Sequence, residues 1–196
     1  MMRRDQAFEA LAAVRNDAIV VAAFSSAFEW ERISPHPRNL PATGSMGQAS
    51  SHALGLALGL PRQTVIVIDG DGSLLMNLGS LVTIATVGPR NLIHFVADNG
   101  TYEANGSHPT PGQNVVDFAG IAKSAGFRHA FTFLDLATFA AELPSLMRLE
   151  GPTFATLKLV PGETAVNYDY GWMHGPQTRA GFKRALKPLL GHGQGS

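Results

Sequence analysis

Cysteine is absent from this chain. That excludes disulfide staples, thiolate nucleophiles, Cys-ligated zinc and Cys-bound iron–sulfur clusters. Neither sign of charge is in excess: 15 Lys and Arg stand against 15 Asp and Glu. Nucleic acid and anionic membranes both reward a basic surplus, so neither is expected as the main partner. No apolar run reaches the roughly 18 residues of a membrane span. The opening Met1-Met2-Arg3-Arg4 leads into Asp5-Gln6, not into an apolar stretch, so no signal peptide is expected and the default location is cytoplasmic. Repeats are also missing, and the one biased stretch is the Gly-rich end at 191–196, expected to be a flexible tail.

What remains is an apolar chain of ordinary size. Its 196 residues, 45% of them hydrophobic, suit about one large domain over residues 1–190. The low charge density and 11 Phe point to a surface partly covered by other subunits. Helical patterning is expected at 5–15, 48–60, 73–87, 115–125, 136–149 and 176–190. Apolar strands are expected at 18–24, 39–42, 64–68, 91–97, 129–133 and 153–160. The stretch 25–38, with two prolines, reads as irregular, 43–47 as a turn and 101–114 as a polar loop. Helix 48–60 reads as buried on most sides, and Gly88-Pro89 stops helix 73–87. Alternating strands and helices imply α/β architecture: a single doubly wound, mostly parallel sheet of about six strands with helices on both faces.

The most informative stretch is 68–102. An apolar strand ends in Gly70-Asp71-Gly72-Ser73, and the next ends in Asp98-Asn99-Gly100. Parallel strands joined by a helix put both polar ends at one sheet edge, where open α/β sheets bind ligands. Singly, each turn reads as a tight turn and nothing more. At the tips of two apolar strands with a helix-length spacer, the pair is far more specific. Asp71 offers a carboxylate, Asn99 a side-chain carbonyl and Thr101 a backbone carbonyl, an oxygen set suited to magnesium with diphosphate and water completing six positions. The N–H groups of Gly72 and Ser73, opening the following helix, form an anion site.

Gly-Asp-Gly, then an Asn beyond a 25-residue interval (73–97), resembles the signature of thiamine-diphosphate enzymes. Gly44-Ser45-Met46-Gly47 is similar to the loop that precedes this motif in decarboxylases of the family. The order of elements from 5 to 190 is similar to their diphosphate-binding domain, and the motifs GSMG, VIDGDGSLLMNLGSL and DNGTY resemble its sulfopyruvate and phosphonopyruvate decarboxylase branch. The resemblance implies a 2-oxoacid decarboxylase using thiamine diphosphate and Mg2+. It implies that Asp71, Asn99 and the Thr101 carbonyl bind magnesium, and that Gly70, Gly72 and Ser73 line the diphosphate. It further implies that the Gly44 carbonyl meets the pyrimidine amine, with Ser45, Gly47 and Tyr102 also at the cofactor. Met46 would sit under the cofactor and hold its two rings in a V, so that a proton moves intramolecularly. The loop with Asn105 and His108 would face the substrate.

Two departures stand out. Asp98 occupies a place where many relatives have Asn. Glu103 follows Tyr102 where relatives often have Gly, which points to a loop at 103–108 shaped for another substrate. The family also draws an activating glutamate from a pyrimidine-binding domain, which needs roughly 150 residues. This chain has no room for it, and Glu9, Glu29 and Glu31 are not expected to serve. A separate pyrimidine-binding alpha-type subunit is therefore expected, in an even-numbered hetero-oligomer with self-association. Arg and Lys are scarce near the loop, so the partner would supply any cation that selects an anionic substrate. A different carbon–carbon lyase or synthase, or a non-catalytic cofactor-binding protein, is the alternative.

Other polar residues have plainer readings. His94 reads as a hydrogen-bonded core histidine, His52 as buried packing, and Met76 and Leu78 as core. His174, among Tyr168, Tyr170 and Trp172, reads first as packing or interface. Ser25 and Ser26 follow the first strand at the ligand edge, without a readable His–Asp pairing.

Overall fold

Uninterrupted apolar strands suit a sheet that is covered on both faces, and the chain folds that way. The computed structural model describes residues 1–42, 46–162 and 169–190. In chain order the strands are β1 (Ile19–Ala23), β2 (Asn39–Ala42), β3 (Val65–Gly70), β4 (Leu92–Asp98), β5 (Thr101–Tyr102), β6 (His108–Pro109), β7 (His129–Phe133) and β8 (Thr153–Lys158). Six of them form one parallel sheet in the order β2-β1-β3-β4-β8-β7, and β5 and β6 form a small antiparallel hairpin. The helices are α1 (Arg4–Val14), α2 (Phe24–Ile33), α3 (Ala49–Gly59), α4 (Asp71–Leu75), α5 (Gly79–Val87), α6 (Phe118–Ala125), α7 (Leu136–Leu146), α8 (Tyr170–His174) and α9 (Pro176–Leu190). The expected architecture is observed.

Side-chain alternation along each strand sends residues to opposite faces. Val20, Ile66, Ile93 and Phe95 join Phe8, Leu11, Trp30 and Phe139 from α1, α2 and α7 in one core. Ile19, Val65, Val67 and Phe154 join Ala53, Leu81, Ile84 and Phe182 from α3, α5 and α9 in the other. The central strands β1, β3, β4 and β8 are thereby covered on both faces.

Several expectations are corrected. The stretch 25–38 is not irregular: α2 fills most of it, burying Ala27 and Trp30 at helical spacing. Its two prolines come after the C-cap Ser34, so they end the helix without entering it. The turn into α2 puts Phe24 at φ 39, a conformation no apolar pattern announces. The helix expected at 73–87 is two helices, α4 and α5. Between them run tight turns, with Met76 N–H donating to the Ser73 carbonyl and Asn77 N–H to the Leu74 carbonyl. Met76 is 54% exposed and not core, because the interruption swings it outward; Leu78 packs half-buried against the core. Helix α3 is open along one side, where Ser51, His52, Gly55 and Leu58 are exposed, so His52 is not packed. The loop at 101–114 contains the β5–β6 hairpin and a 3-10 turn at Glu103–Asn105. Helix α6 starts at Phe118, later than expected, because Asp117 caps it by accepting from Gly120 N–H at 2.9 Å. Helix α7 ends at Leu146, and the short α8 had no expectation behind it. The end at 191–196 lies outside the described residues. Among those described, no helix is long and apolar enough to cross a membrane.

Candidate cofactor and metal site

Parallel pairing of β3 with β4 sets the site. The register aligns Ile68 with Phe95, Asp69 with Val96 and Gly70 with Ala97, so the next residues of both chains leave the sheet at one edge. A cavity opens there. Its lining includes Met46, Gly70, Asp71, Gly72, Ser73, Asn99, Thr101, Tyr102 and Asn105, nine of the thirteen residues expected from sequence. Ser25 and Ser26 reach it from the start of α2, beside the left-handed Phe24. Gly47 stands behind the wall. His108 is exposed on β6 and is not part of the lining: the hairpin turns it away from the strand tips. Gly44 and Ser45 lie outside the described residues.

Asp71 is only 2% exposed. Burial pushes its carboxyl up to about 6; a hydrogen bond from Thr110 opposes that shift, and the charge of Asp98 adds to it. Thr110 Oγ1 donates to Asp71 Oδ2 at 3.0 Å. Asp98 is itself ion-paired with Lys158, its neighbour across β4 and β8. The departure at Asp98 therefore comes with its own counter-charge. Asn99 Oδ1 accepts from Thr101 N–H at 2.9 Å and from Thr101 Oγ1 at 3.3 Å. This small turn orients the amide oxygen and the Thr101 peptide together.

Gly72 is required by contact. A methyl group there would lie 2.4 Å from Tyr102 Cε1 and 2.5 Å from its Cδ1. The Tyr102 ring thus rests directly on the Gly-Asp-Gly turn and ties the hairpin to it. Ser73 does a second task that sequence did not show: its Oγ accepts from Gly47 N–H at 2.9 Å.

Three further residues at the site were missed. Thr110 holds Asp71, and Asn77 donates to the Gly47 carbonyl at 3.0 Å. Arg4 lines the cavity together with Glu103. The Arg4 guanidinium is ion-paired to both Glu29 and Glu103, and Glu103 Oε1 also accepts from Gly162 N–H at 2.9 Å. Burial alone would lower Arg4, yet Glu103 and Glu29 outweigh it and hold the guanidinium above its ordinary value. These partners are 25 and 99 residues from Arg4 in the chain, so no local pattern could pair them. For Asn77 there was a signal: a lone amide inside an otherwise apolar helical stretch.

Of the plainer readings, the burial of His94 and the packing of His174 are upheld, while those of His52 and Met76 are not. His94 is fully buried against Phe154, as expected of a core histidine. The hydrogen bond expected for it is absent among the described residues, because its Nε2 stands 3.6 Å from Asp69 Oδ2. Tyr170 and Trp172 pack on Phe28, and His174 stacks on Tyr170; Tyr168 lies outside the described residues. Glu9, Glu29 and Glu31 do not line the cavity.

The donor set fits a hard divalent cation: one carboxylate, one amide oxygen and one peptide carbonyl. A buried carboxylate whose charge is disfavoured is what a cation at this point would relieve. Among the described residues no group of three or more His, Cys, Asp or Glu could hold a metal. The architecture is an open α/β sheet with polar strand tips around a glycine turn. Residues 23–156 match the thiamine pyrophosphate enzyme C-terminal TPP binding domain, and the chain belongs to that family.

Particular relatives narrow this. The chain is 41% identical over 168 residues to the sulfopyruvate decarboxylase subunit beta of Methanothermobacter thermautotrophicus, covering 85% of this chain and 86% of that one. It is 38% identical to the phosphonopyruvate decarboxylase of Streptomyces viridochromogenes, covering 76% of this chain but 37% of that longer one. A solved structure described as a thiamin diphosphate-dependent enzyme from Mycobacterium smegmatis superposes with a TM-score of 0.70 at 27% identity, over 82% of this chain and 32% of that one.

Proposed function

We propose that this chain is the cofactor-binding, beta-type subunit of a thiamine-diphosphate- and Mg2+-dependent 2-oxoacid decarboxylase. A separate pyrimidine-binding subunit completes it and supplies the activating glutamate. The observation that carries this reading is the buried Asp71, with its charge disfavoured, in one cavity with Asn99 and Thr101. Its relatives support the rest. Several are named as beta subunits. In the Streptomyces phosphonopyruvate decarboxylases, the region like this chain is 37% and 30% of one longer polypeptide.

In this reading Asp71, Asn99 and the Thr101 carbonyl hold magnesium. Gly70, Gly72, Ser73 and Tyr102 take the diphosphate, where a bare backbone and a hydroxyl approach an anion without a Cβ in the way. Gly44, Ser45, Met46 and Gly47 take the ring end. Asn105 faces the substrate, and His108 reaches it only if the hairpin turns. When bound, the cofactor supplies the electron sink that decarboxylation needs. The charge of Arg4 is met by Glu29 and Glu103, so selection of an anionic substrate tail falls to the partner. The location is cytoplasmic and the assembly hetero-oligomeric.

The test compares the purified chain alone with the chain plus the pyrimidine-binding subunit, scoring CO2 release from 2-oxoacids. Turnover is expected only with both subunits, thiamine diphosphate and Mg2+. Substantial turnover by the isolated chain would contradict the proposal. So would cofactor binding without turnover in the complete assembly, which would favour a non-catalytic role.

A further inference from the structure

Two side chains from the α4–α5 segment tie down the turn that carries Met46. Gly47 N–H donates to Ser73 Oγ at 2.9 Å, and the Gly47 carbonyl accepts from Asn77 Nδ2 at 3.0 Å. Both backbone polar groups of one residue are thereby held by side chains about 30 positions along the chain. Gly47 has φ +85, and a methyl there would lie 2.9 Å from Asn77 Cβ and 3.2 Å from the Ser73 carbonyl oxygen. The turn is pressed against the helix junction with no slack.

The junction itself is unusual. Helix α4 stops at Leu75 and α5 starts at Gly79, with Asn77 in the gap. Apolar residues on both sides would support a continuous helix, and interrupting one gives up backbone hydrogen bonds. Burying Met76 does not explain the break, since that residue is more than half exposed. The contact of Asn77 with Gly47 does explain it. Tight turns inside a helical stretch often mark a functional position. Met46 and Ser73 both line the cavity, while Gly47 and Asn77 stand directly behind them.

We infer that Asn77 is a positioning residue: by holding Gly47, it fixes Met46 at the cavity wall, with Ser73 as the second tether. The inference rests on the proposed role of Met46 beneath the cofactor. Ser73 Oγ accepts from Gly47, and the same residue lines the cavity. One hydroxyl therefore links the anion end of the site to the Met46 turn. Placement matters because proximity effects fall off steeply, with about 100-fold lost for a misplacement of roughly 1 Å.

The test uses the full chain and its complex with the pyrimidine-binding subunit. Wild type is compared with Asn77→Ala and with Asn77→Asp, which keeps the volume but sets an acceptor against the Gly47 carbonyl. In the wild type the Gly47 amide should exchange slowly with deuterated solvent; fast exchange there overturns the inference without any variant. In both variants exchange at residues 46–48 should rise by about 10-fold or more. The kcat should fall by about 10- to 100-fold, while KM and the calorimetric affinity for thiamine diphosphate move less than about threefold. Unchanged exchange at 46–48 in folded variants refutes the tether. A loss of cofactor affinity equal to the loss of kcat refutes the positioning role. If exchange rises as expected but the wild-type complex binds no thiamine diphosphate, the tether stands and the proposed function falls.

Discussion

Asp71 is the residue on which the site turns, and its burial has a signed consequence. Burial holds its carboxyl at about 6 in the folded chain, above the ordinary carboxylate value of 3.8. A carboxyl raised by folding costs nothing below its unfolded value. The cost grows as pH climbs through that window and is complete above about 6. At roughly 1.4 kcal/mol per unit, the cost at neutral pH is at most about 3 kcal/mol. Asp71→Asn should therefore make the metal-free chain more stable at pH 8 and leave it unchanged near pH 3, as urea titrations at both values would show. The same substitution should abolish Mg2+-dependent binding of thiamine diphosphate in calorimetry. In the wild type, Mg2+ affinity should fall by about tenfold per pH unit below about 6, because protons compete for the same oxygen. The Asp71–Asn99 pairing was legible from residue types and spacing. Thr110, which donates to Asp71, was not, because nothing local in the chain links positions 39 residues apart.

Between elements, close contacts decide what the site can tolerate. The hairpin of β5 and β6 lies on the Gly-Asp-Gly turn through the Tyr102 ring. Gly72→Ala should cost about 1–3 kcal/mol of stability through overpacking. Adding Tyr102→Ala should recover part of that, so a double-mutant cycle by denaturant melts would show coupling between the two. At the far wall Arg4 joins α1 to α2 and to the 3-10 turn through Glu29 and Glu103. Arg4→Met would leave the buried Glu103 without its counter-charge and Glu29 with the exposed Arg32, at a cost of about 3 kcal/mol or more, measurable by urea melts at neutral pH. Element-level reading of the sequence was sound wherever apolar period alone set the structure, as in β3 and β4. It failed at α2, whose start needs a left-handed Phe24, and at the α4–α5 break, where the Asn77–Gly47 contact outweighs helix continuity.

For the molecule as a whole, binding and folding are linked. A ligand held only by the folded chain adds about 2.7 kcal/mol at 100 times its Kd. For a chain of this size that is a rise in Tm of roughly 5–10 °C. Thiamine diphosphate with Mg2+ should produce such a rise in the assembled enzyme, and EDTA should cancel it; a rise that survives EDTA would contradict the metal role of Asp71, Asn99 and Thr101. The sequence by itself determined the alternating strands and helices, the central strands covered on both faces and the two polar strand tips at one edge. All of these follow from local periodicity and from chain connectivity, which a linear reading contains. Only the tertiary structure decided that Ser73 and Asn77 hold the Met46 turn, that Glu103 is matched to Arg4 and that His108 faces outward. Those outcomes depend on which distant side chains meet once the two cores close, and the energy of such a meeting resides in neither segment alone.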